Sequence, residues 1–125
     1  MAVRGIRGAT TTTQDDPEAI LEATKQLLLA ICEANSTLRN EDIASAIFTL
    51  SHDLKSVYPA QAAREIGWTA VPLMCAQEIP VPGGLSKCIR VLLHWNTPLS
   101  QGDIKHIYLR EAKQLRPDLT PDHEL

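Results

Sequence analysis

A chain of 125 residues, 44% apolar and 22% charged, has the makeup of a single compact globular domain and excludes fibrous and disordered classes. Its formal net charge of -3, with basic residues scattered and not gathered in a run, argues against nucleic acid as a partner and leaves any anion to be met by local positive charge. No apolar run is long enough for a signal peptide or a membrane span, and Cys32, Cys75 and Cys88 are odd in number and far apart, so a cytoplasmic protein without membrane contact, disulfide framework or zinc site is expected.

The opening stretch Val3 to Thr10 is β-compatible, and alternation sets Arg7 on the face opposite Ile6. Gly5 and Gly8 weaken such a strand unless another backbone or a ligand comes close. Asp15-Asp16-Pro17-Glu18 then carries a helix start, with a carboxylate at the cap, proline in the first turn and an acid at the positive end of the helix dipole. The spacing predicts a helix to about Ala34, its apolar stripe centred on Ile20, Thr24, Leu27 and Ile31 and its polar side on Glu22, Lys25, Gln26 and Glu33. That stripe is expected to cover one face of a sheet.

After a polar turn from Asn35 to Asn40, Ile43 to Leu50 reads as a second strand. Tyr58-Pro59 leads into a short helix over Ala60 to Ile66, which Gly67 ends. A third strand is expected over Ala70 to Gln77 and a fourth over Cys88 to Trp95, separated by the turn-rich Pro80-Val81-Pro82-Gly83-Gly84. Beyond Ser100 helical and strand preferences compete, and a short helical turn followed by a strand around His106 to Leu109 reconciles them. The polar, proline-rich residues 117–125 read as a mobile tail. The order of elements describes an α+β plan with one principal sheet.

Arg90 is the most informative position, because a guanidinium set among Ile89, Val91, Leu92 and Leu93 is costly to bury without an anion beside it. Three readings fit: a salt bridge to an acid of the chain such as Glu78, an arginine that emerges on a solvated face, or an anionic substrate. Arg7, between its glycines, poses the same question, whereas Arg64 and Arg116 read individually as solvated charges. Cys75 and Glu78 stand near the end of a strand at a loop mouth, where functional groups often sit. The four histidines pair with no cysteine and have no metal-ligand spacing, so neither thiol catalysis nor a metal site is expected. Gly83-Gly84 lacks the flanking pattern of a phosphate loop.

Four segments together carry a resemblance: Arg4-Gly5-Ile6-Arg7-Gly8-Ala9-Thr10-Thr11, Val71-Pro72 followed by Cys75-Ala76-Gln77-Glu78, Gly83-Gly84-Leu85 with Cys88-Ile89-Arg90, and Leu115-Arg116-Pro117-Asp118-Leu119. In this order and spacing, over nearly the whole chain, they resemble the AroH-type chorismate mutases. The resemblance implies a cofactor-free isomerase that rearranges chorismate to prephenate in the biosynthesis of phenylalanine and tyrosine. It also implies a single mixed sheet with helices on one face and a homotrimer whose sheets form a barrel-like core with sites between subunits.

By the same resemblance Arg7 binds a substrate carboxylate, Arg90 reaches a carboxylate and the ether oxygen, Cys75 and Glu78 lie beside the ring hydroxyl, and Tyr108 assists in the cleft. Arg64, Tyr58 and Ala60 come from the adjacent subunit, Leu73 and Met74 line the site, and Leu115 and Arg116 close over it. The chain departs from the commoner family pattern at Tyr58, where phenylalanine is usual, at Gln61 in place of lysine, and at Met74 in place of threonine. The reaction breaks an ether C–O bond as a C–C bond forms, so it needs no nucleophile; restraint of the substrate and positive charge at the departing oxygen suffice. Two rival readings differ in what they require. A trimeric metabolite binder like the imine deaminases would keep a cleft arginine without needing Arg7, Cys75, Glu78 and Tyr108 together. A subunit-interaction module would gain no stability from ligand.

Overall fold

The computed structural model describes residues 1–116, and the expected tail, 117–125, lies outside the described residues. Five strands make one mixed sheet in the order β3-β2-β4-β1-β5, with β1 at Ala2–Thr11, β2 at Ile43–Leu50, β3 at Leu73–Gln77, β4 at Cys88–Thr97 and β5 at Ile107–Tyr108. The central pairs β1–β4 and β2–β4 are antiparallel, and the two outer pairs, β1–β5 and β2–β3, are parallel.

Helix α1, Pro17–Ala34, begins as its sequence dictates: Asp16 caps it by accepting the Ala19 N–H at 2.8 Å. Its buried stripe of Ile20, Ala23, Thr24, Leu27, Leu28 and Ile31 packs on the sheet face that carries Ile6, Phe48, Val91 and Leu93. Gly8 is what admits the helix so close. A Cβ there would stand 2.8 Å from Ile31 Cδ1, closer than carbon atoms approach, and a tight 3.1 Å from Val91 Cγ1, so the strand glycine marks a close approach by a helix. Helix α2, Ala60–Glu65, lies on the same side and is tied to α1 by a Lys25–Glu65 ion pair at 2.6 Å. The single mixed sheet with helices on one face is thus as the family resemblance implies, and the order of elements is the α+β plan with one principal sheet read from the residues.

Boundaries shift where chemistry demands it. The third strand starts at Leu73 and not at Ala70, because Pro72 has no N–H to give the ladder, although its carbonyl accepts from Ala46 at 3.0 Å. The C-terminal segment makes a 3₁₀ turn at Gln101–Asp103, then β5, then a further 3₁₀ turn at Arg110–Gln114 that the sequence did not announce. Arg110 enters that turn with φ at +54° while its guanidinium reaches the Thr11 carbonyl at 3.1 Å and Gln26 at 2.7 Å. These bonds strap the segment to β1 and α1.

Candidate active site

Strand pairing decides which side chains share a face. The registers align Ala76, Thr49, Arg90, Ala9 and Tyr108 in one row running across all five strands on the face without helices. One row along, Arg7 is paired with Leu92, and Leu92 with Ile47. Small Ala9, 1% exposed, separates Arg90 from Tyr108 and leaves the room between them that a larger residue would fill. A cleft of about 260 Å³ results, lined by Arg7, Thr49, Glu78, Arg90, Leu92 and Tyr108.

Glu78 follows β3 directly, with its N–H bonded to the Leu50 carbonyl at 2.8 Å, which turns its side chain toward the Arg90 face. Its carboxylate accepts a short hydrogen bond from the Thr49 hydroxyl and stands 3.6 Å from Arg90 Nε. The acid of the chain that the sequence suggests for Arg90 is therefore beside it, but the two do not hydrogen-bond. Arg90 Nε is buried and, among the described residues, takes no hydrogen bond, while the side chain as a whole keeps 43% of its surface open to solvent. The Arg90–Glu78 ion pair thus leaves the Nε donor without a hydrogen bond, while the side chain as a whole lines the cleft. Cys88, two residues earlier on the same face, lies against Arg90; burial pushes its thiol up, and the guanidinium works against that. A second hollow of about 280 Å³ opens on the other flank of Glu78 and Arg90, walled by Ser51, Asp53, Cys88 and the loop through Leu85.

The C-terminal segment reaches the same place. Leu115 packs with Leu85, Ala9, Tyr108 and Ala112, so the loop and the last 3₁₀ turn meet over the Arg90 row. Arg116 is near enough to His106 to lower, with Arg7, the pKa of that imidazole, a shift for which burial is the leading cause.

The remaining residues singled out from sequence stand elsewhere on the same chain. Cys75 is in register with Phe48 and Val91, which places it on the helix face, one residue out of phase with Thr49 and Arg90. It sits beside the N-terminus of α2, where burial raises its thiol pKa while the Ala60 N–H and the Arg64 guanidinium pull the other way. A groove of about 580 Å³ there is lined by Leu54, Val57, Tyr58, Cys75 and Gln77. Leu73 packs into the core beneath, while Tyr58 is 73% exposed and Met74 64% exposed. One chain thus gathers Arg7, Glu78, Arg90, Tyr108 and Leu115 on one side and Tyr58, Ala60, Arg64 and Cys75 on another. Thr49 and Asp53 were not legible as site residues; a hydroxyl near the end of a strand that also carries Ser45, and the Ser51-His52-Asp53 turn, are faint signals for either.

A mixed sheet with helices on one face, presenting two arginines and a carboxylate in one cleft, is the framework of a small α+β protein able to bind an anion. A family model described as chorismate mutase type I matches residues 3–119. A chorismate mutase AroH of Thermus thermophilus is 56% identical over 117 residues, spanning 94% of this chain and 96% of that protein. The chorismate mutase AroH of Bacillus subtilis is 49% identical over 121 residues, spanning 96% of this chain and 94% of that one. A solved chorismate mutase from Clostridium thermocellum superposes with a TM-score of 0.85 at 49% identity, covering 88% of this chain and 97% of that structure. The chain belongs to the type I chorismate mutases and is an isomerase of that family.

Proposed function

We propose that this chorismate mutase converts chorismate to prephenate, for phenylalanine and tyrosine synthesis in the cytoplasm, in sites completed between the copies of a homotrimer. No helix among the described residues is long and apolar enough to cross a membrane. The observation that carries the reading is the Arg90 side chain, which lines a cleft together with Arg7 and Tyr108 and whose buried Nε has no hydrogen-bond partner among the described residues.

Arg90 takes the ether oxygen as its bond to carbon lengthens and negative charge collects there, and Arg7 holds a carboxylate so that the two ends of the substrate stay folded together. A guanidinium suits both tasks, since it stays charged and offers donors in a planar fork. Glu78, fixed by Thr49, accepts from the ring hydroxyl and does not need to move a proton. Tyr108 adds a donor at the cleft floor, and Leu115 with Arg116 covers it. Tyr58, Arg64 and Cys75 lie with the buried Ala60 and the partly buried Leu73 on the helix side of the sheet near its β3 edge, and Met74 projects at the same edge on the Arg90 face, so a neighbouring copy docked on this edge can bring them to another chain's Arg90. The exposure of Tyr58 and Met74 supports such a partner. No cofactor enters the scheme. The test is direct: purified protein is mixed with chorismate while the loss of substrate absorbance and the appearance of prephenate are followed, and absence of turnover overturns the proposal.

A further inference from the structure

Arg7 stands on the outer side of β1, where its support is thin. The parallel ladder to β5 spans only Gly8 and Ala9. Side chains take over beyond it. Gln101 pairs with Gly5 in both directions, accepting its N–H at 3.0 Å and donating to its carbonyl at 2.7 Å. His106 Nδ1 receives the Arg7 N–H at 3.0 Å. A backbone N–H can only donate, so Nδ1 must carry the lone pair and the ring proton must reside on Nε2. Burial, then Arg7 and Arg116, lower the pKa of His106, which favours the neutral ring that this bond requires.

The imidazole is itself held from behind. Asn35, at the end of α1, accepts the Lys105 N–H at 2.9 Å and donates to the Lys105 carbonyl at 3.0 Å, fixing the residue next to His106. A chain of contacts therefore runs from the helix terminus through Lys105 and His106 to the backbone of Arg7. Gly5 and Gly8 flank that backbone on either side, and glycine gives a strand little stiffness of its own.

We infer that His106 is a positioning residue for Arg7: its Nδ1 fixes the strand backbone from which the Arg7 guanidinium reaches the substrate. The inference rests on the reading of Arg7 as a carboxylate ligand, and its test separates the two. In His106→Asn the amide oxygen replaces Nδ1 as acceptor; in His106→Gln the amide falls at the position of Nε2 and the Arg7 N–H loses its partner. His106→Gln should lower kcat/KM for chorismate about tenfold, more through KM than through kcat, and His106→Asn should stay within about twofold of the parent. In an Arg7→Ala background the His106→Gln loss should disappear. The ¹⁵N resonances of the parent imidazole should report a bare, accepting Nδ1 and a protonated Nε2, a readout that needs no turnover. Equal kinetics for His106→Gln and the parent, equal damage from both substitutions, an undiminished loss in the Arg7→Ala background, or a protonated Nδ1 would each overturn the inference. Should His106→Gln fail to fold, the kinetics of His106→Asn and the resonances decide it. Absence of turnover in the parent would instead refute the proposed reaction, leaving the resonances to judge the contact.

Discussion

Asp53 takes the backbone N–H of Lys87 on both carboxylate oxygens, at 3.1 and 3.0 Å, and so pins the far end of the loop that leads from Glu78 back to the strand of Arg90. Ser51 completes the clamp, donating to Asp53 and accepting the Cys88 N–H at 2.9 Å. Lys87 is held there with φ at +49°, a left-handed conformation that a lysine rarely adopts unaided. Asp53→Ala should cost about 1–2 kcal/mol of stability, the worth of hydrogen bonds to a charged but partly exposed group. Lys87→Gly, which keeps the N–H and removes the strain, should cost nothing. Denaturant unfolding of both variants checks this, and a parent-like midpoint for Asp53→Ala would remove the clamp from the account.

The same carboxylate makes stability fall in acid. Burial works against its ionisation, but the Ser51 hydroxyl and the Lys87 N–H outweigh it and set Asp53 below its ordinary value of 3.8. A carboxyl whose pKa is lowered by folding contributes stability above its unfolded pKa and loses it as pH falls through the folded one. Below about pH 4 the parent should therefore lose stability more steeply than Asp53→Asn. Parallel curves would mean that the clamp does not depend on charge.

Arg90→Ala should lower the rate by roughly 10²–10³, equivalent to about 3–4 kcal/mol of transition-state stabilisation. Arg90→Lys should also lose much, because an ammonium cannot reproduce the fork. Arg64→Ala should lose far less. Steady-state kinetics on chorismate compares the three, and small, equal losses would remove Arg90 from the ether oxygen.

If sites lie between copies, two damaged chains can repair each other. Arg90→Ala damages the sheet-face half, and Arg64→Glu puts a negative charge in the half beside Cys75, where it repels a dianion. Refolded together in equal amounts, they should regain about a quarter of parent activity, since one site in four then combines two intact halves. Activity equal to the mean of the separate variants would place each site within one chain.

Gly8→Ala should destabilise the fold by about 1–3 kcal/mol, as the new methyl group drives Ile31 and Val91 from their packed positions. Thermal unfolding measures it; a neutral effect would mean that α1 shifts freely on the sheet.

Much of this architecture is written in the local sequence. The Asp16 cap, the apolar stripe of α1, the helix stop at Gly67 and the alternation that sets Arg7 opposite Ile6 follow from residue spacing and backbone preference alone. The arginine on β4 was visible too, as was its need for an anion. Resemblance to a family, and not spacing, supplied the substrate. Tertiary structure alone decided the rest. Alternation orders side chains within one strand, but only pairing relates one strand to the next, and a shift of one residue reverses every face. That register puts Thr49 and Tyr108 level with Arg90 and sends Cys75 to the opposite side. The contacts of Asp53 with Lys87 and of His106 with Arg7 join residues 34 and 99 positions apart, and no local pattern encodes a bond that exists only once the sheet has closed.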